Sequence, residues 1–364
     1  MRVLVFGTYD TSMHPRVATI AEGLRGAGLD VVECNVPLGL ATSDRVAALA
    51  RPSRIPALLW RIASRWAALA RLARKLPQRP DLVLVGYMGH FDVHLARLLF
   101  RGTPIVLDHL VGASDTARDR RLDGGLRARL TRLIDSAALR AADVIVVDTD
   151  EHLAALPANR RGNAVVVPVG APRGWFVSES APTRTTGPLR VVFFGLYTPL
   201  QGAPVIGAAL AGLSDVTVTM VGHGQDEAAT RSAAAGNSAV TWLDWVPATD
   251  LPALVASHDV CLGIFGTGPK ALRVVPNKVF QGAAAGCAVI TSDTAPQRRA
   301  LGDHALLVPP GDSVALADAL RRLIDDRAEL ARLRHAAHQL AVDRFSPDHI
   351  VEPLLTAIDT RVRN

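Results

Sequence analysis

The stretch DVCLGIFGTGPKALRVVPNKVFQGAAAGCAVITSD, residues 259–293, holds a strand, a loop, a helix and a second strand in that order. DVCLGIF is a continuous apolar run of strand length, and CAVITSD is another. Between them Gly266, Gly268 and Pro269 mark a loop, and Pro276 stops any earlier helix. Asn277 suits an N-cap, and KVFQGAAAG reads as a helix closing at Gly286. Apolar strands joined by a helix lie parallel, in a sheet covered on both faces.

The same alternation fills most of the 364 residues. Strand runs in the first half are RVLVF (2–6), DVVEC (30–34), LVLVG (82–86), PIVLD (104–108), DVIVVD (143–148) and AVVVPV (164–169). A stretch rich in Pro, Ser and Thr, SESAPTRTTGPLR (178–190), interrupts the series. It then resumes with RVVFFG (190–195), VTVTMVG (216–222), DVCLGIF, CAVITSD and HALLVPP (304–310). Two series imply an α/β chain of two Rossmann-like domains, and the length is too great for one ordinary core. Neither first loop, GTYDTS or GLYTPL, carries GxGxxG, and no GxxxxGK[ST] occurs. These absences argue against a nicotinamide-dependent dehydrogenase and a P-loop nucleotidase.

Hydrophobic residues make up 49% of the chain, yet no apolar run approaches a membrane span. MRVLVFG leads straight into a strand without the layout of a signal peptide, and Cys34, Cys261 and Cys287 lack zinc or CxxC spacing. Reduced, buried thiols and a cytoplasmic location are the expectation. The net charge of +6 is lopsided: residues 1–172 hold 23 Lys+Arg against 16 Asp+Glu, and the remainder 17 against 18. The first half therefore favours an anionic surface or ligand.

The chain has three lysines, and two of them, Lys270 and Lys278, fall in the loop and helix start of the opening stretch. A helix start offers free N–H groups and the positive end of its dipole. Lys270, Arg273 and Lys278 around it would make a pocket for a strongly negative group, most plausibly a diphosphate, and lysine is a flexible point charge able to reach several phosphate oxygens. Gln281 shares a helix face with Lys278, so its amide could bond a ribose hydroxyl. In open parallel sheets ligands bind beyond the carboxyl ends of the strands, which points to loops 7–16, 108–116, 195–202, 222–226 and 265–281. Gly7 and Thr8 permit close backbone approach there, and Gly195 and Gly222 open two further loops.

The opening stretch resembles the donor-binding region of retaining GT-B glycosyltransferases of family 4, the glycosyl transferases group 1. GTYDTSMHPRVATIAEGLRGAG, LDHLVGASDTARDRRL, DVIVVDTDEH and FFGLYTPLQG are similar to the same group, so the resemblance spans nearly the whole chain. It implies a GT-B fold with two Rossmann-like domains facing a central cleft. An acceptor-binding domain would span 1–172, a linker 173–188 and a nucleotide-sugar-binding domain 189–344, with a final helix, 345–364, crossing back to the first domain. The donor would be a nucleoside diphosphate sugar, UDP- or GDP-linked, and no cofactor or obligatory metal is implied. Lys270 and Arg273 would act on the leaving diphosphate; Asn277, Lys278 and Gln281 would complete the donor site.

The chain departs from the wider family where Leu196 and Gln201 stand for a loop Arg and Lys, and where Arg273 and Gln281 stand for two glutamates. Cationic contacts are then expected to have moved to Lys270, Arg273 and Lys278. The resemblance also places His109 beside the reacting carbon of the donor sugar. Tyr9, Asp10, His14, Arg16 and Asp115 are candidates for the acceptor, which could be a lipid-linked saccharide, a polysaccharide intermediate or a natural-product aglycone. Asp148-Thr149-Asp150 reads as a helix-capping turn, not a metal motif.

Residues 51–79 hold eight Arg or Lys and no acid, and 54–76 read as a basic amphipathic helix. Arg54, Arg61, Arg65, Arg71 and Lys75 fall on one side and Leu59, Ile62, Trp66, Leu69 and Ala73 on the other. Such a helix can lie on anionic lipid, giving peripheral contact with the inner face of the membrane. No nucleic-acid signature accompanies the charge. Two other readings share the fold: a nucleotide-sugar 2-epimerase-like isomerase, and a noncatalytic sugar-nucleotide-binding relative.

Overall fold

The computed structural model describes residues 1–11, 15–39, 55–87, 89–110, 125–177 and 186–362. They form two compact units, Met1–Pro168 with Ile350–Asn364, and Val169–His349.

The first unit is built on six parallel strands: β1 (Arg2–Gly7), β2 (Asp30–Asn35), β3 (Leu82–Val85), β4 (Ile105–Asp108), β5 (Val144–Val147) and β6 (Ala164–Val166), in the order β2-β1-β3-β4-β5-β6. Successive side chains of a strand point to opposite faces. Leu4, Phe6, Val83, Val85, Ile105 and Leu107 accordingly pack on one side with Leu69 of α2 (Ile55–Arg74), Val93 and Ala96 of α3 (Asp92–Leu99) and Ala138 of α4 (Gly125–Ala141). Val3, Val5, Leu82, Leu84, Val106 and Val144 pack on the other side with Val17, Ile20 and Leu24 of α1 (Arg16–Gly26). Burial on both faces is why these strands read as unbroken apolar runs. A short helix, α5 (Asp150–Ala155), follows β5.

The second unit repeats the design with β7 (Leu189–Phe194), β8 (Val216–Val221), β9 (Val240–Leu243), β10 (Val260–Leu262), β11 (Ala288–Ser292) and β12 (Leu306–Val308), in the order β12-β11-β10-β7-β8-β9. Helix α6 (Asn277–Ala284) joins β10 to β11, as the opening stretch requires, and α7 (Arg327–Arg344) packs on α6 and β11. Strand β9 was not legible in the sequence. VTWL is four residues long, sits at the sheet edge and is half-exposed, so it lacks the apolar run of its neighbours.

The division falls earlier than residue 172, and the described part of the expected linker is ordered. Arg173–Trp175 form a 3-10 turn in the second unit, where the Trp175 ring stacks on Phe194 at 5.5 Å and Arg173 pairs with Asp348 at 2.5 Å. Phe345 also stays in that unit, edge-on to Phe280 at 4.8 Å. The chain joins the first unit at Ile350, and α8 (Glu352–Val362) buries Leu354 and Ile358 on the α1 side of the first sheet. Each such residue contributes about 1.5–3 kcal/mol. The rest of the linker, 178–185, lies outside the described residues.

All three cysteines are buried free thiols. No helix among the described residues is long and apolar enough to cross a membrane.

Candidate functional site

In the second sheet the strand order turns back between β7 and β10, which is where an open parallel sheet leaves a crevice at its carboxyl edge. The loops that end β7, β8 and β10 are locked together there by backbone contact. Gly222 has φ of +131°, and a Cβ on it would stand 2.0 Å from the carbonyl oxygen of Gly195. Gly202, at φ +64°, would place a Cβ 2.5 Å from the backbone of Phe265 and Gly266. Glycine is needed at both positions, for the dihedral and for the space. Tyr197 N donates to His223 O at 2.9 Å and Phe265 N to Gln201 O at 2.9 Å, closing the three loops into one surface.

Lys278 lies in the first turn of α6. Its ammonium is drawn inward instead of standing at the helix end: the residue is only 4% exposed, and Nζ lies 3.7 Å from the Phe193 ring centroid. Nζ donates to Gln201 Oε1 at 2.5 Å, and a Cβ on Gly195 would be 3.1 Å from it. Burial pushes the lysine down to about 7, opposed by the nearby Cys261 thiol. Among the described residues no carboxylate pairs with Lys278. Gln201 thus holds, by an uncharged amide, the cation that α6 delivers to the end of β7.

The other members of the expected pocket take different places. Asn277, expected at the cap, is instead the first helical residue of α6, and Pro276 takes the cap position in extended backbone; its ring has no polar atom with which to cap. Lys270 and Arg273 bracket the 3-10 turn Ala271–Arg273 and are half-buried; Arg273 Nε donates to Pro269 O at 3.0 Å. Gln281 is buried one turn beyond Lys278.

In the first unit several acceptor candidates prove to be internal. Arg16 is 1% exposed: Nε donates to Asp108 at 2.9 Å and the Nη groups donate to the carbonyls of Pro168 and Val167. A buried guanidinium needs such a full set of acceptors, so Arg16 ties α1 to β4 and the chain after β6. Burial pushes the Asp108 carboxyl up, against the pull of Arg16. Tyr9 is buried with its hydroxyl donating to Glu33 at 3.1 Å. Thr8 donates to Asp92 Oδ2 from both N and Oγ1 at 2.8 Å, and Asp92 Oδ1 accepts from Trp66 Nε1 at 2.9 Å. Gly7, at φ +152°, also lies against Asp92. Thr8 is therefore held by the protein, and Asp10 is half-buried. His14 and Asp115 lie outside the described residues.

His109 follows β4 directly, buried, with its N donating to Val146 O at 2.8 Å. The ring of His90 meets it edge to face, centroids 5.2 Å apart and planes at 70°. His90 Nε2 stands 3.2 Å from Asp135 Oδ1 of α4. The sequence signals for His90 and Asp135 were weak, since one lies in a turn and the other inside an amphipathic helix. Thr149 caps α5, accepting from His152 N at 3.2 Å, as the capping reading of that turn required.

Helix α2 presents Leu69 and Trp66 to the core, as its periodicity predicted. Leu59, expected on that side, is 58% exposed beside Trp60 at 77%, because Leu58 takes the inward position. Arg71, Arg74 and Lys75 are exposed, whereas Arg61 is half-buried and donates to Gly39 O. A groove of about 390 Å³, lined by Leu76, Arg79, Leu98 and Phe100 among others, lies before β3 and β4, at the opposite sheet edge from His90 and His109.

Residues 188–326 match the family model for Glycosyl transferases group 1. The sucrose-phosphate synthase of Thermosynechococcus elongatus has a similar structure, with a TM-score of 0.71 at 16% identity, covering 99% of this chain and 98% of that one. HepE of Anabaena, solved in complex with UDP and glucose, is similar at a TM-score of 0.70 and 16% identity over 99% and 100% of the two chains. The fold is thus GT-B, and the stretch that matches the group 1 glycosyltransferase model lies in the second unit. A phosphatidyl-myo-inositol mannosyltransferase of Mycobacterium leprae (strain TN) is 32% identical over 178 residues. That match covers 47% of this chain and 46% of the relative, so it spans just under half of each.

Proposed function

We propose that this protein is a retaining glycosyltransferase that moves a sugar from a UDP- or GDP-linked donor to a hydroxyl acceptor. One observation carries the reading: a buried ammonium, Lys278, without a carboxylate partner among the described residues, lies at the β7 end of the carboxyl edge where the second sheet reverses its order. A buried cation in such a place is stabilised by an anionic ligand, and a diphosphate supplies one. The UDP bound by HepE supports the choice of ligand.

In the proposed reaction the bond from the anomeric carbon to the diphosphate oxygen breaks, and its electron pair leaves with the diphosphate. The acceptor oxygen forms a bond to the same face of that carbon and gives its proton to the departing phosphate. Lys278, with Lys270 and Arg273, stabilises the charge that develops on the leaving group. Preorganised electrostatic stabilisation of this kind supplies much of the rate enhancement of many enzymes. The resemblance assigns His109 a contact with the donor sugar. The two carboxylates at the ends of β4 and β5, Asp108 and Asp148, are buried and engaged by Arg16 and His152, which favours the front-side course.

A lipid-linked acceptor fits the first unit best. Trp60 and Leu59 are exposed on a helix that also exposes Arg71 and Arg74 and is followed by exposed Lys75, in a segment without acids. Co-sedimentation with anionic liposomes at low salt tests that contact; its absence there would remove it.

Thermal shift with UDP, GDP and their sugars identifies the donor, and acceptor-dependent release of nucleoside diphosphate separates transfer from isomerisation or mere binding. The anomeric configuration of the product decides retention. A Lys278→Ala protein with unchanged donor affinity would overturn the assignment of the pocket.

A further inference from the structure

We infer that His90, backed by Asp135, is a positioning residue for His109, so that the first unit carries two residues in series behind that histidine. The inference rests on the reading that His109 meets the sugar. All three residues are more than nine-tenths buried, on three different elements: the turn after β3, the end of β4, and α4. Burying three polar side chains is costly unless they satisfy one another or serve a ligand.

The two glycines that precede His90 leave no room for a side chain. A Cβ on Gly89 would stand 2.4 Å from Val85 Cγ1, and one on Gly86 would stand 2.6 Å from Tyr9 Cδ1. Gly89 N donates to Gly86 O at 3.0 Å and Val93 N to Gly89 O at 3.0 Å, fixing the backbone on either side of His90. Asp135 Oδ1 stands 3.2 Å from Nε2 and closes that edge of the ring by contact, without hydrogen-bond geometry. The second torsion of a histidine side chain is broad and weakly restrained by its own covalent structure. An edge-to-face contact of the kind made by His90 narrows it. The backbone of His109 is anchored separately through Val146 O, so what His90 adds is the aim of the ring.

The test uses the full chain, labelled with 15N-histidine, in wild type, His90→Ala, His90→Gln, Asp135→Asn and His109→Ala forms. Ring-nitrogen resonances of His109 are recorded by NMR, together with kcat and KM for the slow release of UDP or GDP from UDP-glucose or GDP-mannose to water. The expected result is that His90→Ala and Asp135→Asn shift the His109 ring resonances and lower kcat about tenfold, within the range of a displaced group, while donor KM stays within about twofold. His90→Gln, which keeps a polar side chain of similar reach beside Asp135, recovers part of the loss. Unchanged His109 resonances and kcat in both variants, in a protein that loses activity on His109→Ala, would overturn the inference and leave the reading of His109 standing. Full activity of His109→Ala would overturn that reading, while the NMR shifts would still decide whether His90 sets the ring. Should His90→Ala fail to fold, His90→Gln and Asp135→Asn carry both measurements.

Discussion

Lys278 Nζ and Gln201 Oε1 are 2.5 Å apart, joining the first turn of one helix to the loop beyond a strand distant in the chain. The contact places a lysine from one segment against a loop residue that the resemblance had marked as lacking a cation. Replacing Lys278 by Met removes the charge and nearly keeps the length. Such a variant is expected to lose about a hundredfold in kcat/KM, the magnitude found when one preorganised charge-stabilising group is removed. Initial rates with the identified donor check it. Gln201→Glu should also weaken donor binding, since an internal carboxylate would compete for the ammonium.

Lys278 also predicts a pH dependence. Its pKa is lowered by burial from 10.5 to about 7, so between those values the unfolded chain binds more protons than the folded one. Stability therefore rises with pH across that window, and Lys278→Met abolishes this contribution. Urea midpoints from pH 7 to 10 test the sign. A diphosphate favours the charged lysine, so donor affinity is expected to fall as pH rises above about 7.

Arg16 and Asp108 are each 1% exposed at the side chain and 2.9 Å apart. Arg16→Met would leave the carboxylate buried without its cation, at a cost of about 3–5 kcal/mol in chemical unfolding. The double variant Arg16→Met/Asp108→Leu should recover much of that loss. An effect on acceptor KM with stability unchanged would contradict the internal role assigned to Arg16.

At Gly222 a methyl group would meet the Gly195 carbonyl at 2.0 Å with φ at +131°. Gly222→Ala is expected to lower Tm by several degrees and to abolish the thermal shift given by nucleotide. Gly236, which also has positive φ but nothing within 4 Å of a Cβ, is the control, and Gly236→Ala should keep nucleotide binding.

The two tryptophans of α2 should separate cleanly. Trp66→Phe loses the hydrogen bond to Asp92 and is expected to cost about 1–3 kcal/mol, because a buried acceptor is left short of a donor. Trp60→Ser should leave stability within about 0.5 kcal/mol while reducing liposome binding.

The architecture was readable because parallel strands buried on both faces have to be apolar, as β3, β4, β5, β10 and β11 are, and because the runs between them recur at strand length. Only β9, short and half-exposed at an edge, carried too little apolar pattern to be seen. The helix after Pro276 and the cap at Thr149 were legible for a similar reason: caps and breakers act within a few residues of themselves.

Side-chain direction at the strand ends was not legible. Arg16 and Tyr9 looked like loop residues available to a ligand, yet both turn inward to Asp108 and Glu33, partners far along the chain. The sequence by itself determined the two alternating series, the glycine-rich loops and the scarcity of lysine in all but one short segment, since each is a local or periodic property. Only the tertiary structure decided that Lys278 withdraws to Gln201 and that His90 and Asp135 stand behind His109. Those pairings depend on which strand ends the sheet order makes neighbours, and sequence spacing carries no record of that order.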